Sequence, residues 1–345
     1  MNPIFAWGRR HGFLLTLAVL FAIGFTAADV LRPVAEQEWL RGAVVFAVMW
    51  ASGMTLPLRS VTDAVRRPMA VLAAVGLNTL AVPVAAWWIA GWLAPEWRLS
   101  FYVASLVPCT LASAMVWTRR AGGDDSIPML TTVVTNLACV GVIPLGWWWV
   151  SETEAVAELT RGLQAVAVAE LGAGAAGAGG RTLADQAIKL GLVVVAPLTL
   201  AQGMRLGGWA EWADRTKPRL SWAAQGGILT MVVFGAVTTA DKLASITEEG
   251  GMAVFAQLIA TASAIHLVCL LAGILFTRWV LGRGPETQIA VGFSASQKTL
   301  AIGLQTSMDL GVSVLPMIIY HVIQLVWDTV VADAWLARGK KDSSG

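Results

Sequence analysis

Two short stretches, VPCTLAS (107–113) and GFSASQKT (292–299), decide how this chain is read, because each sets polar groups in the middle of a long apolar run. Pro108 removes a backbone donor and kinks its helix, and Gly292 loosens its own. The hydroxyls of Thr110, Ser113, Ser294, Ser296 and Thr299 can satisfy the backbone groups so freed. Pro108 and Gly292 are therefore expected to mark helix breaks, although each taken alone is equally an ordinary kink of a membrane helix.

The runs on either side are of membrane-spanning length. The 345 residues are 57% hydrophobic and only 13% charged, with a mean hydropathy of +0.67, where an ordinary soluble domain carries about a quarter charged residues. A crossing helix needs about 20 mostly apolar residues. That rule picks out 13–30, 40–58, 68–94, 99–117 and 127–150, then 186–204, 220–240, 252–280, 288–308 and 312–336. The expected fold is an all-α integral membrane protein with ten spans in the lipid bilayer. Residues 1–150 form a first five-helix repeat and 186–336 a second. Between them lies a connector, 151–185, containing LGAGAAGAGG (171–180), a composition of flexible linkers. A tail, 337–345, follows. Five spans per half means that the second half enters the membrane from the opposite face, giving inverted-topology repeats with the broken helices, four and nine, in equivalent places.

Charge sets the orientation. With 24 Lys and Arg against 22 Asp and Glu the net charge is +2, without the one-sided basic face of a nucleic-acid binder. Most of the Lys and Arg fall on one side if both termini are cytoplasmic, the expected arrangement in a plasma (inner) membrane. Arg9, Arg10, the apolar run to Phe25, and Thr26, Ala27 and Ala28 imitate a cleaved signal peptide, but removal of the first span would invert the charge distribution. Trp7, Trp39, Trp92, Trp97, Trp147 to Trp149, Trp209, Trp279 and Trp335 lie at or near span ends, where indole rings favour the headgroup layer. Cys109, Cys139 and Cys269 show no metal or disulfide spacing and read as buried thiols.

Polar residues within spans locate function, because they are costly there. Lys298 sits at mid-span, where insertion of a lysine costs roughly 2.5–3.5 kcal/mol. It reads as a fixed cation, paired with a substrate carboxylate or sulfate or standing in place of a transported metal ion. Snorkelling to an interface and a structural pair with Asp309 or Asp328 are the alternatives. In the tenth span His321, Gln324 and Asp328 share one helix face with Tyr320 beside them, either a binding or proton-relay stripe or an interhelical hydrogen-bond network. Asn78 before Pro83, and Thr131, Thr132, Thr135 and Asn136 in the fifth span, add further polar groups. His266, with no acidic residue nearby in its span, reads as a core histidine.

Taken together, SGMTLP (52–57), RRP (66–68), Asn78 to Pro83, VPCTLAS, the segment from Gly123 and Asp124 to Pro144, SQKTLA (296–301) and LPMIIYHVIQ (315–324) resemble the bile acid:sodium symporter family, more closely its divergent SBF-like branch. The resemblance implies a panel domain, a core domain with crossing broken helices, and secondary transport of an organic anion by alternating access. It implies a possible sodium site near Ser113, Thr132 and Gln297, with Asn78 where a glutamine is usual. Phe293 stands where sodium-coupled members carry a Glu, Ala114 and Lys298 replace Asn residues, and Pro128 replaces a Ser. An ammonium added where an anionic ligand is missing repels a sodium ion, so Lys298 is expected to substitute for it or to couple transport to protons itself, with sodium, proton or no coupling ion left open.

No cofactor is expected. A channel or membrane sensor is one alternative. A second is an intramembrane serine hydrolase built on Ser294 and His321, though Ala295 breaks the G-x-S-G pattern such enzymes resemble.

Overall fold

A computed structural model describes the backbone of residues 3–56, 68–110, 113–152, 182–248 and 251–342, and the side chains of 15–56, 68–110, 113–152, 182–241 and 251–338. Pro57, Arg66, Arg67 and positions 153–181 of the connector lie outside the described residues. So do Leu111 and Ala112.

The described residues are almost wholly helical, with no strand among them. The helices are α1 (Pro3–Thr26), α2 (Ala28–Ala35), α3 (Glu38–Met54), α4 (Pro68–Trp92), α5 (Pro95–Leu106), α6 (Ser113–Arg120) and α7 (Ser126–Ser151). They continue with α8 (183–204), α9 (Ala210–Glu248), α10 (Gly251–Trp279), α11 (Pro285–Ser296), α12 (Leu300–Asp309) and α13 (Leu315–Asp342). Among the described residues, five uninterrupted stretches are long and apolar enough to cross a membrane, or six with α1 and α2 counted as one bent span. The other expected spans escape that rule for visible reasons. Two are broken, α3 has 17 residues, and α8 and α9 run together across a kink at Gly208, whose φ of 100° favours glycine.

Several expectations need correction. The first span does not run on to Val30, because the chain bends by 98° at Ala27 between α1 and α2. The connector ends before 185: a reciprocal Thr182 and Asp185 capping box starts α8 at Leu183. The last helix continues through most of the expected tail, to Asp342. Trp97 and Trp147 are buried among apolar neighbours rather than placed at the membrane surface, whereas Trp39, Trp92, Trp209 and Trp279 are exposed. Gly292 does not break its helix. α11 passes through it to Ser296, and the residue instead lets α10 approach: a Cβ on Gly273 would lie 2.8 Å from Gly292 Cα, and one on Gly292 2.8 Å from Ile274 Cγ1. Small residues are the usual means of close helix contact in membranes, where apolar surface has no drive to leave lipid.

The helices pack as two groups. α1, α2, α3, α8 and α9 contact one another, and α4 to α7, α10, α11 and α13 form the other group, with α12 reaching across to α3 and α9. Large apolar side chains such as Leu80, Trp88, Trp222 and Met252 are exposed on the outside, as expected for surfaces solvated by hydrocarbon. The polar side chains Asn78, Gln297, Lys298, Gln324 and Asp328 are fully buried in the second group. This is the inverse of a soluble protein's arrangement.

Candidate functional site

The site is built from two breaks in helix. α5 ends at Leu106 because Pro108 forces the residue before it into extended backbone, and Val107 has φ −69° and ψ 154°. α11 and α12 are parted by Gln297 (ψ 141°) and Thr299 (ψ 128°), both extended. The two breaks touch, since Thr299 N donates to Pro108 O at 3.0 Å. C-terminal ends of α5 and α11, which carry partial negative charge, and N-terminal ends of α6 and α12, which carry partial positive charge, all meet there.

Every backbone group freed in a membrane interior must find a protein partner, and the neighbouring helices supply these in parallel ways. On α7, one face serves the first break. Thr132 Oγ1 donates to Thr110 O (2.9 Å), Asn136 Nδ2 to Cys109 O (3.2 Å), and Thr135 Oγ1 accepts from Cys109 N (3.2 Å). On α13, Gln324 serves the second break, accepting from Lys298 N through Oε1 and donating to Lys298 O through Nε2, both at 3.0 Å. Tyr320 donates to Ser296 O at 2.7 Å. Asn78 Nδ2 lies 2.9–3.0 Å from the carbonyl oxygens of Ser294, Ala295 and Gln297, covering the C-terminal end of α11.

The backbone carbonyl of Asn78 is available as well, because of Pro83. The chain forms a π turn at Leu77–Ala81, and Val82 N bonds Leu77 O instead of Asn78 O. In π register the next donor to Asn78 O would be residue 83, and proline has none. The orphaned carbonyl accepts from Lys298 Nζ at 2.7 Å. Asn78 Oδ1 and Val107 O, each 3.0 Å away, complete three acceptors around the ammonium. An ammonium has three donors, and all are used. The lysine does not snorkel. It is fully buried, and neither Asp309 nor Asp328 is among its hydrogen-bond partners. Asp309 instead meets Lys189 (2.6 Å) and Arg41 (3.7 Å).

The residues singled out by sequence thus fall into several places. Ser113 and Gln297 meet, Ser113 Oγ donating to Gln297 Oε1 at 2.7 Å. Thr132 is engaged with Thr110 O, so the three residues carried over as a sodium site do not bond as one set. Ser294 and Ser296 turn back onto their own helix, to Ala290 O (2.7 Å) and Gly292 O (3.1 Å). His321 Nδ1 lies 2.9 Å from Gln324 Nε2, and the hydroxyl of Ser294 is not among its partners.

Two residues gain importance from the structure. His266 is no isolated core histidine: its Nε2 lies 2.9 Å from Asp328 Oδ1, with both side chains fully buried. Asp328 Oδ2 in turn accepts from Gln297 Nε2 at 2.5 Å. The rule that ionisable groups inside a membrane are functional by default would have raised His266. Its partner, 62 positions away, could not be read from local sequence.

Membrane-spanning helices wrapped around two touching helix breaks and a buried polar centre define the class: an integral membrane protein of the transporter type. The chain matches the model of the SBF-like CPA transporter family over residues 11–337, and it belongs to that family. It is 28% identical over 257 residues to the uncharacterized protein PA2026 of Pseudomonas aeruginosa, covering 72% of this chain and 68% of that one. It is 25% identical over 254 residues to the probable sodium/metabolite cotransporter BASS4, chloroplastic, of Arabidopsis thaliana, covering 69% of this chain and 52% of that protein. It is 24% identical over 254 residues to the putative symporter YfeH of Escherichia coli, covering 72% and 68%.

Proposed function

We propose that this protein is a secondary active carrier of an organic anion, working by alternating access around the two breaks, with Lys298 as a fixed internal cation where sodium-coupled relatives would bind an ion. The observation that carries this reading is the triad of oxygens, Asn78 O, Asn78 Oδ1 and Val107 O, held by the ammonium of Lys298. Hard cations are bound by such clusters of carbonyl oxygens, and here a covalently attached cation has them. A sodium ion beside it would be repelled. The service of the first break by α7 and of the second by α13 favours ten spans in two inverted repeats. The positive-inside bias favours cytoplasmic termini in an inner membrane.

The test is the thermal stability of purified protein in detergent, in NaCl against choline chloride at equal ionic strength, followed by a panel of carboxylates, sulfates and sulfonates. A ligand that binds the folded state raises its stability by mass action. The expected result is no sodium-specific rise, a rise with at least one organic anion, and loss of that rise in Lys298→Met. A sodium-specific rise, or an anion effect unchanged in Lys298→Met, would overturn the role given to Lys298. Absence of any anion effect would count against the substrate class.

A further inference from the structure

We infer that His266 and Asp328 form a proton-binding site, and that the proton taken up there balances the charge of the transported anion. The inference rests on the carrier reading for its purpose, but not for the site itself.

The geometry carries it. His266 Nε2 faces Asp328 Oδ1 at 2.9 Å, and Gln297 Nε2 donates to Asp328 Oδ2 at 2.5 Å. The other ring nitrogen, His266 Nδ1, is buried and has no hydrogen-bond partner among the described residues. With Asp328 ionised, the neutral imidazole donates Nε2–H to the carboxylate, and Nδ1 is left as a bare acceptor. That is the atom able to receive a proton. A proton entering from the aqueous side forms an N–H bond at Nδ1. The resulting imidazolium either stays paired with the carboxylate or passes its Nε2 proton to Asp328 Oδ1, breaking the Nε2–H bond as the O–H bond forms. Both outcomes add one positive charge and leave Nδ1 protonated.

Charge balance gives this proton its purpose. Lys298 as ammonium and Asp328 as carboxylate make the empty centre neutral. A monovalent anion bound beside them leaves an uncompensated charge, which a low-dielectric interior opposes strongly. One proton on the His266 and Asp328 pair restores neutrality. Among the described residues, the other ionisable groups around the pair do not supply it. Cys269 of α10, Cys109 at the first break and Tyr320 of α13 are near enough to interact with Lys298 or Asp328 but are uncharged in their ordinary forms. On α13, His321 is bonded to Gln324, and Asp333 is paired with Arg120 of α6 at 2.6 Å. From α12, Asp309 is held by Lys189 and Arg41, and from α9, Asp241 is held by Arg32. From the second break come Gln297 and Lys298, already placed.

The chain has three histidines, His11, His266 and His321, so the site can be watched directly. The experiment is nitrogen NMR of full-length protein labelled in its histidine rings, titrated with acid in detergent with no solute present. His11→Gln and His321→Gln assign the His266 signals by elimination, so the result does not depend on a His266 variant that folds. The expected result is that His266 Nδ1 passes from bare to protonated over the range in which the protein stays folded, and that this step is displaced in Asp328→Asn. A His266 Nδ1 that stays bare throughout, or whose step is unmoved in a folded Asp328→Asn, overturns the proposal. At fixed pH, addition of an anion that raises the melting temperature is expected to increase the protonated fraction, and an unchanged fraction would overturn the charge-balancing role. If no anion in the panel stabilises the protein, the organic-anion substrate class fails while the titration still decides the site.

Discussion

The ammonium of Lys298 lies 2.7 Å from the backbone carbonyl oxygen of Asn78, 220 positions away, and that oxygen is free because the chain puts a π turn and then Pro83 after it. Replacing Lys298 with Met keeps most of the volume and strands Asn78 O, Asn78 Oδ1 and Val107 O. Buried groups left unpaired cost roughly 1–3 kcal/mol each. The desolvation cost of the ammonium disappears at the same time, so the expected net effect on the melting temperature is small against the loss of anion binding. A large fall in melting temperature with anion binding intact would show Lys298 to be structural.

Pro83→Ala restores a donor in reach of Asn78 O. The new N–H is expected to compete with Lys298 Nζ, so the two positions should be coupled by about 0.5–3 kcal/mol, the range for residues sharing a partner. A double-mutant cycle of Pro83→Ala and Lys298→Met, read by chemical denaturation, measures it. Strict additivity would mean that the proline does not govern the carbonyl.

Gln324→Leu removes both partners of the Lys298 backbone. With two buried groups unpaired at roughly 1–3 kcal/mol each, it should be among the most destabilising single changes in the chain. Gln324→Glu, which keeps the acceptor for Lys298 N and loses the donor to Lys298 O, should fall between the two. Equal melting temperatures for all three would refute this account of the break.

Gly292→Ala separates two readings of that residue. If Gly292 loosened a break, alanine would alter binding. Because it packs against Ile274 and the carbonyl of Leu270, at 2.8 and 3.1 Å from an added Cβ, the expectation is overpacking of roughly 1–3 kcal/mol, with the relative anion response retained. The melting temperature and the anion panel together check this.

Asp309→Asn leaves Lys189 and Arg41, only 17% and 11% exposed, without this carboxylate, so it should cost more than the about 0–1 kcal/mol of a surface ion pair, with the anion response retained. Any loss of anion binding in this variant would tie the Arg41, Lys189 and Asp309 cluster to the site, which its position at the contact of α12 with α3 and α8 does not require.

Much of this was legible in the residues. Pro108 marks a true break, and Gln324 and Asp328, which share a helix face with His321, are fully buried. Gly292 misled because the same property, the missing Cβ, serves a bend and a close contact equally well, and only a neighbour such as Gly273 tells them apart. His266 reads locally as a core histidine because its partner, Asp328, lies on another helix.

What the sequence determined by itself was local: hydrophobic length, the proline that ends α5, and the presence of a lysine at mid-span. These follow from chain geometry and from the cost of polar groups in hydrocarbon, and neither needs a neighbour to be known. What only the tertiary structure decided was which groups answer one another: Lys298 with Asn78 and Val107, Gln297 with Ser113 and Asp328, and Asp328 with His266. Hydrogen bonds act over about 3 Å. Such pairings depend on how helices distant in the chain are set against one another, and no spacing along the chain records that.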